Sequence, residues 1–318
     1  MSQVNEAIEI NEGKKINLLA PVFSIVTLLF SILILLLFID GRRETDSPLM
    51  FIIVITAVWL FYVYQLTRFN EKKHVKDITY AIFILLIIWE LSTRIFDLVP
   101  KVLFPSPENV FNVFIIEYKL MFSGLFSSLF LLVVGFTIAL VLGNVLGLFV
   151  GWNERLRNDL YPVAKVFSPI PPMIYTPYLI ALLPTFKSAS IAVIAFGLFW
   201  PTFMNMIIRV GSMDRRIIDS AKVMGVSTYT MLLKVVLPYS VPAIVGGLRV
   251  QLSTTFMVLV MAEMIGARSG LGFFIKKYSD YADYTRVVAG IIFIGIIITI
   301  LNTLISVVEK RVVKWKTV

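Results

Sequence analysis

Cysteine is absent from the 318-residue sequence, histidine occurs once, at His74, and charged residues make up only 15% of the chain. The lack of cysteine excludes disulfides, thiolate metal sites and cysteine nucleophiles, and a single histidine excludes a histidine metal cluster. Soluble domains carry roughly 25% charged residues. The low charge, a hydrophobic fraction of 58% and a mean hydropathy of +0.88 predict an integral membrane protein in a lipid bilayer.

Sequence motifs for catalysis are also missing. The chain has no GxxxxGK[ST] loop, so it is not expected to bind ATP phosphates itself. It has no HExxH or GxSxG motif either. We therefore predict no catalytic residues, no metal, no cofactor and no enzymatic activity in this chain.

Long apolar runs dominate what is present, and a helix needs about 20 such residues to cross a membrane. Eight spans are predicted, in an all-α, polytopic fold. They are Leu18–Ile39, Leu49–Leu66, Ile78–Phe96, Leu120–Trp152, Val166–Phe186, Ser188–Ile208, Val241–Ile265 and Val287–Val308.

The basic residues give the expected orientation. The net charge is +9, and most Lys and Arg residues outside the spans fall in loops that are internal if the N-terminus is internal. Both termini are therefore predicted to be cytoplasmic. The basic residues are scattered between apolar runs, so nucleic-acid binding is not expected.

A boundary is predicted at the charged segment Arg68–Asp77. Residues 1–77 would form an N-terminal tail with two extra spans, rich in Ile, Leu and Phe. Residues 78–318 would form a six-span core, whose spans contain more Gly, Pro and polar residues.

The polar loop at 210–238 carries the strongest local signal. Ile217–Met224 can form a short helix, and Gly225 then stands where a left-handed residue ends a helix. Ser227 or Thr228 can cap a second helix. Ala221 would let another protein approach closely, although an ordinary amphipathic loop fits the local pattern equally well.

The spacing in this loop resembles a known family. Six residues are arranged as in the EAA loop of ATP-binding-cassette importer permeases: Asp219, Ser220, Ala221, Gly225, Leu237 and Pro238. Asp219 and Ser220 replace the usual Glu and Ala. The resemblance implies that these six residues couple the chain to a separate ATPase subunit, which docks on residues 213–234.

Further segments resemble the nitrate, sulfonate and taurine permeases of that family, in order, over residues 78–316. They are Phe104–Pro107, Ser168–Pro172, Pro177, Phe199–Pro201, Asn205, Gly246–Arg249, Ala262–Glu263 and Gly270–Gly272. The resemblance implies a type I importer permease core in a bacterial plasma membrane. It also implies a homodimer (or a heterodimer), an external solute-binding protein and a small, mostly anionic solute.

Several polar residues and prolines within the predicted spans are candidates for the translocation path. Prolines free backbone carbonyls, which a membrane tolerates only against protein or a wet cavity. A packed structural kink is the alternative, and the hydroxyls at 253–255 can instead bond their own helix. The path candidates are Pro169, Pro171, Pro172, Pro177, Trp200, Asn205, Ser253 and Glu263.

Charged residues inside spans need partners. Arg249 and Glu263 are 14 residues apart, too far to pair directly. We expect Arg249 to form a structural ion pair and Glu263 to face a cavity mouth or a base such as Lys276. Glu90 and Arg94 are four residues apart and should pair on one helix face.

The predicted function is the permease subunit of an ATP-driven importer of a small solute such as a sulfonate, taurine, nitrate or bicarbonate. A thiamine or pyrimidine precursor is an alternative solute. Two other classes remain open, namely a secondary transporter that works without ATPase partners and a membrane scaffold without transport.

Overall fold

The computed structural model describes residues 24–69 and 73–312, and all regular secondary structure within these ranges is helical. The helices, numbered here in chain order, are α1 Ile25–Leu37, α2 Leu49–Phe69, α3 Lys73–Glu90, α4 Pro107–Ile116, α5 Tyr118–Trp152, α6 Glu154–Phe167, α7 Pro172–Leu182, α8 Phe186–Gly211, α9 Arg215–Val223, α10 Thr228–Met231, α11 Leu237–Gly266, α12 Leu271–Asp280 and α13 Tyr284–Val312. Short π-helical turns, Leu91–Ile95 and Leu232–Val236, extend α3 and α10.

Six helical stretches in the described ranges are long and apolar enough to cross a membrane. They correspond to six of the eight predicted spans. The other two coincide with shorter apolar helices, Ile25–Leu37 and Pro172–Leu182. The start of the first predicted span, from Leu18, lies outside the described residues.

The predicted span Val166–Phe186 is not one helix. α6 ends at Phe167, and Pro171 caps α7, which has 11 residues. Proline lacks the N–H that would continue the α6 ladder, and it pushes the preceding residue away from helical geometry. The proline cluster therefore separates two helices instead of kinking one.

The helices fall into two compact units. The first comprises the described residues up to Tyr118 with Ala282–Ala289. Here the two extra spans pack on α3: Phe30 of α1 stacks on Trp59 of α2 at 5.1 Å between ring centroids and meets Phe83 of α3 edge-on at 6.1 Å. The boundary predicted at residue 77 stays a prediction.

The second unit comprises Lys119–Tyr281 with the residues from Gly290 onward. Its α5 and α8 approach closely along a stripe of small residues. A Cβ added at Gly147 would lie 2.7 Å from Cβ of Met206 and 2.9 Å from the carbonyl oxygen of Phe203. Gly143 and Gly151, one turn to either side, face Thr202 and Val210 equally closely. Small residues at this spacing are a common means of packing membrane helices.

Candidate functional site

The predicted helix–glycine–helix element is present in the second unit. Asp214 caps α9 by accepting a hydrogen bond from the N–H of Arg216 at 2.9 Å. The chain then turns at Gly225, whose φ is +72°, in the left-handed region that a side chain disfavours. Ser227 caps α10 by accepting from the N–H of Thr230 at 3.3 Å. The sequence prediction of this element is confirmed, and Ser227 is the cap.

The element has an apolar underside and an exposed tip. Ala221 is half-buried, and with Ile218 and Val226 it packs on a buried cluster from α5, α8 and the π turn. That cluster consists of Leu148, Met206, Val210, Met213, Met231, Leu232 and Val236. At the tip, Val223 is 89% exposed and Met224 is 81% exposed.

The other predicted coupling residues divide between these two faces. Asp219 and Ser220 are exposed, and the Ser220 hydroxyl donates to the carbonyl of Arg216 at 2.7 Å. Leu237 packs against the buried cluster, whereas Pro238 is exposed in the first turn of α11. Their role in coupling stays a prediction.

The predicted path prolines lie at the α6–α7 junction and within α7. Pro169 and Pro171 are exposed in the junction, and Pro177 is exposed inside α7. Pro172, in the first turn of α7, closely approaches Gly197 of α8, where an added Cβ would lie 2.8 Å from Cγ of the proline. Pro172 therefore packs α7 on α8, whereas the other three prolines are exposed.

Trp200 belongs to an aromatic cluster. Its ring stacks on Phe167 at 4.7 Å and meets Phe196, Phe199 and Phe203 edge-on at 5.1 to 6.2 Å. Its indole nitrogen is buried without a protein partner. The arrangement fixes the end of α6 against α8.

Asn205 lines a cavity of about 70 Å³ between α5, α8 and α11. The other polar residues of the lining were not predicted from the sequence. An amide or hydroxyl in an apolar span is the signal that points to them, but the sequence does not say which of them meet. The full lining is Asn144, Thr202, Asn205, Met206, Arg209, Ala243, Ile244, Gly247 and Gln251.

Ser253 and Arg249 both contact α13. The Ser253 hydroxyl donates to Oδ1 of Asn302 at 3.1 Å. Arg249 donates to Ser306 and lies 3.8 Å from the Glu309 carboxylate. The expected structural ion pair of Arg249 is confirmed. The hydroxyls of Thr254 and Thr255 bond their own helix, as the alternative interpretation had it.

Glu263 is 1% exposed, and both of its carboxyl oxygens are bonded. One accepts from the Ser128 hydroxyl of α5 at 2.6 Å, and the other from the N–H of Gly272 in α12 at 2.8 Å. Ser128 also accepts from the N–H of Leu271 at 2.9 Å. The expected partner Lys276 is wrong, because its ammonium pairs with Asp280 instead.

The absence of a side chain at Gly270 leaves room for the carboxyl group of Glu263. Its φ is +126°, and a Cβ there would lie 2.4 Å from the Glu263 carboxyl group. We call the side chains of Glu263 and Ser128 and the first residues of α12 the carboxyl latch. The latch joins α5, α11 and α12, and any role of Glu263 in the path stays a prediction.

The predicted pair of Glu90 and Arg94 is present in the first unit, and it has a third member. Glu108, at the start of α4, is 1% exposed and lies 2.9 Å from Nε of Arg94. Burial, together with the charge of Glu90, raises the pKa of Glu108 to about 7. Arg94 also donates to the carbonyls of Leu36 and Ile39 at the end of α1. This arginine therefore links the end of α1 to the end of α3 and to the start of α4.

No group of three or more His, Asp or Glu side chains suited to a metal occurs in residues 24–69 and 73–312.

Curated relatives are transport permeases. A putative aliphatic sulfonates transport permease, SsuC of Bacillus subtilis, is 25% identical over 236 residues, which are 73% of this chain and 85% of the relative. The taurine transport system permease TauC of Escherichia coli is 26% identical, over 77% of this chain and 96% of the relative. The nitrate import permease NrtB of Leptolyngbya laminosa is 30% identical, over 59% of this chain and 67% of the relative.

Among solved structures, a chain of the inward-facing methionine ABC transporter MetNI matches with a TM-score of 0.52 and 18% identity. The match covers 63% of this chain and 98% of that one, and at this identity it supports the fold. The predicted fold class, an all-α type I importer permease, is confirmed. A family model described as the binding-protein-dependent transport system inner membrane component matches residues 139–314. The chain belongs to this family and is a multi-pass permease of an ABC importer.

Proposed function

We propose that this chain forms the translocation path of an ATP-driven importer of a small anionic solute and couples to a separate ATPase subunit through residues 213–234. The coupling to an ATPase subunit is proposed because the tip of that loop exposes apolar side chains. Val223 and Met224 are among the most exposed apolar side chains in the described residues. Both lie between two helical stretches that are long and apolar enough to cross a membrane, Phe186–Gly211 and Thr228–Gly266. An apolar patch rimmed by polar residues suits a protein partner.

The underside of the loop supports a mechanical link. Ala221, Ile218 and Val226 pack on side chains of α5 and α8 and on the turn that leads into α11. Close-packed side chains transmit displacement because protein interiors have low compressibility. Movement of α9 by a docked ATPase would therefore shift the ends of three long helices together.

The importer would contain two copies of this chain, two ATPase subunits and an external solute-binding protein. The chain would lie in a bacterial plasma membrane with both termini and the 213–234 loop cytoplasmic, as the basic loops suggest. ATP binding would close the ATPases, move the coupling loops and open the path toward the binding protein.

The solute is proposed from the relatives. Those named above carry sulfonates, taurine and nitrate in their names, and all three solutes bear a compact oxyanion. A thiamine or pyrimidine precursor is the alternative within the same importer class. A secondary transporter is the alternative from another class, and it would need no ATPase partner.

Co-purification tests the coupling proposal. The tagged full chain is purified in mild detergent from its native host, and the ATPase activity of the complex is measured. Met224→Asp places a charge on the exposed tip and should release the ATPase subunit without unfolding the chain. Leu98→Asp is the matched control, because Leu98 is 73% exposed in a loop outside the spans.

Loss of the ATPase from Met224→Asp but not from Leu98→Asp supports the proposal. If no ATPase accompanies the wild-type chain, or if both variants retain it, the coupling assignment is wrong. Uptake driven by an ion gradient alone would then favour the secondary transporter.

A further inference from the structure

Two polar groups that line the cavity between α5, α8 and α11 have no hydrogen-bond partner in the protein. The Thr202 hydroxyl and Oε1 of Gln251 are both buried and have no hydrogen-bond partner. Helical hydroxyls usually bond the carbonyl four residues earlier, as Thr176 and Thr255 do here. A buried polar group without a hydrogen-bond partner destabilises the fold. Thr202 and Gln251 therefore indicate an occupant that the chain alone does not supply.

The charged residue in the cavity lining indicates which class of ligand the cavity would bind. Arg209, in the last turn of α8, is the charged member of the lining, and no acidic residue lines the cavity. Its guanidinium donates once, to the carbonyl of Ser240 at 3.2 Å, and forms no ion pair within the described ranges. A guanidinium with free N–H groups binds planar or tetrahedral oxyanions well.

The amides complete a set of donors. Asn144 donates one N–H to the carbonyl of Leu140 at 2.8 Å and has a second N–H to offer. Gln251 presents a donor in place of its oxygen when its amide turns about the last torsion. Asn205 lies one turn from Arg209 on α8, on the same lining.

The size of the cavity limits the ligand. A water needs about 10–15 Å³ of such space, so 70 Å³ holds about five waters. Nitrate or the head of a sulfonate has four heavy atoms and fits this space. A substituted pyrimidine ring is larger than this space.

We infer that this cavity is a weak binding site for a small oxyanion, held by the guanidinium of Arg209 and by Thr202 and Gln251. The site lies at the coupling-loop end of α8, so the anion would occupy it late on its way inward. This inference rests on the proposed function for its role in transport, but binding itself requires no ATPase. Weak binding is expected because a transport site must release its ion.

The test is equilibrium binding to the purified full chain in lipid nanodiscs. Sodium nitrate and sodium methanesulfonate are the probes, and sodium chloride at equal ionic strength is the reference. Binding is followed by titration calorimetry and by the shift in Tm. The wild-type chain should bind both oxyanions with millimolar Kd and should bind chloride more weakly.

Variants locate the site. Arg209→Gln should weaken oxyanion binding by about tenfold or more, and Arg209→Lys should retain part of it. Thr202→Val and Gln251→Leu remove one polar partner each and provide a second test if Arg209→Gln folds poorly. Lys187→Gln is the matched control, because it removes one exposed positive charge from the other end of α8.

Two results would overturn the inference. Either the wild-type chain binds neither oxyanion at tens of millimolar, in which case the cavity holds only water, or Lys187→Gln weakens binding as much as Arg209→Gln, in which case only net charge matters. If an ATPase co-purifies with the chain but the chain binds no oxyanion, this binding site is refuted and the importer proposal still stands.

Discussion

The carboxyl latch allows a test of whether Glu263 stabilises the fold or contacts the solute. Glu263→Ala removes two hydrogen-bond acceptors from a side chain that is 1% exposed. It leaves the N–H of Gly272 and the hydroxyl of Ser128 without their partner. A buried group that loses its partner costs about 1–3 kcal/mol, and the cavity left behind adds to this. We expect a loss of about 3–5 kcal/mol.

Glu263→Gln should cost less, about 1–2 kcal/mol. Its remaining carbonyl oxygen can accept from the N–H of Gly272, and its amide can donate to the Ser128 hydroxyl. Ser128→Ala should cost a similar amount, because it also removes the acceptor for the N–H of Leu271. Ser123→Ala is the control on the same helix, since that exposed hydroxyl bonds only its own turn.

The assay is thermal unfolding of the purified chain in detergent, with solute uptake measured in parallel. At about 2–4 °C per kcal/mol, Glu263→Ala should lower the Tm by roughly 10 °C. Glu263→Gln and Ser128→Ala should show coupling in a double-mutant cycle. A Tm of Glu263→Ala equal to that of the wild-type chain would refute the latch. Uptake lost in Glu263→Gln at an unchanged Tm would instead assign the carboxyl group to the path.

Two other substitutions test packing and buried charge. Gly147→Ala should lower the Tm, because the added carbon meets α8 and overpacking costs about 1–3 kcal/mol. Gly247→Ala is the control, because its added carbon meets nothing within 4 Å and should not lower the Tm. Equal Tm values for the two variants would contradict the close approach of α5 and α8. The raised pKa of Glu108 means that its protonated form favours the folded state, so stability should fall as the pH rises from about 4.5 to about 7. Glu108→Gln should remove this fall in a series of Tm measurements against pH, and a fall that persists would show that other groups titrate.

Much of the fold follows from local patterns in the sequence. Hydropathy predicted where the apolar helices lie, because a bilayer demands long apolar helices. The turn at Gly225 and the cap at Ser227 were also predictable, since both depend on neighbouring residues alone. The break before Pro172 was not, because four prolines in nine positions are consistent with a kink or with a gap.

The interior of each unit depended on contacts between distant positions. Glu108 joins Glu90 and Arg94, and Ser128 meets Glu263 across 135 positions. Periodicity assigns a residue to a helix face but does not say which face it meets. The polar cavity escaped prediction for the same reason, although each of its amides stood out singly in an apolar span.

The two ends of α11 differ in stiffness. At one end lie the π turn Leu232–Val236 and two prolines, Pro238 and Pro242, where the backbone ladder loses hydrogen bonds and a helix bends most easily. At the other end the carboxyl latch binds α11 to two neighbouring helices. Bending therefore concentrates beside the coupling loop, and the 24 residues beyond Pro242 form a rod about 36 Å long. A tilt of about 10° at that joint carries the latch about 6 Å sideways, roughly one helical turn.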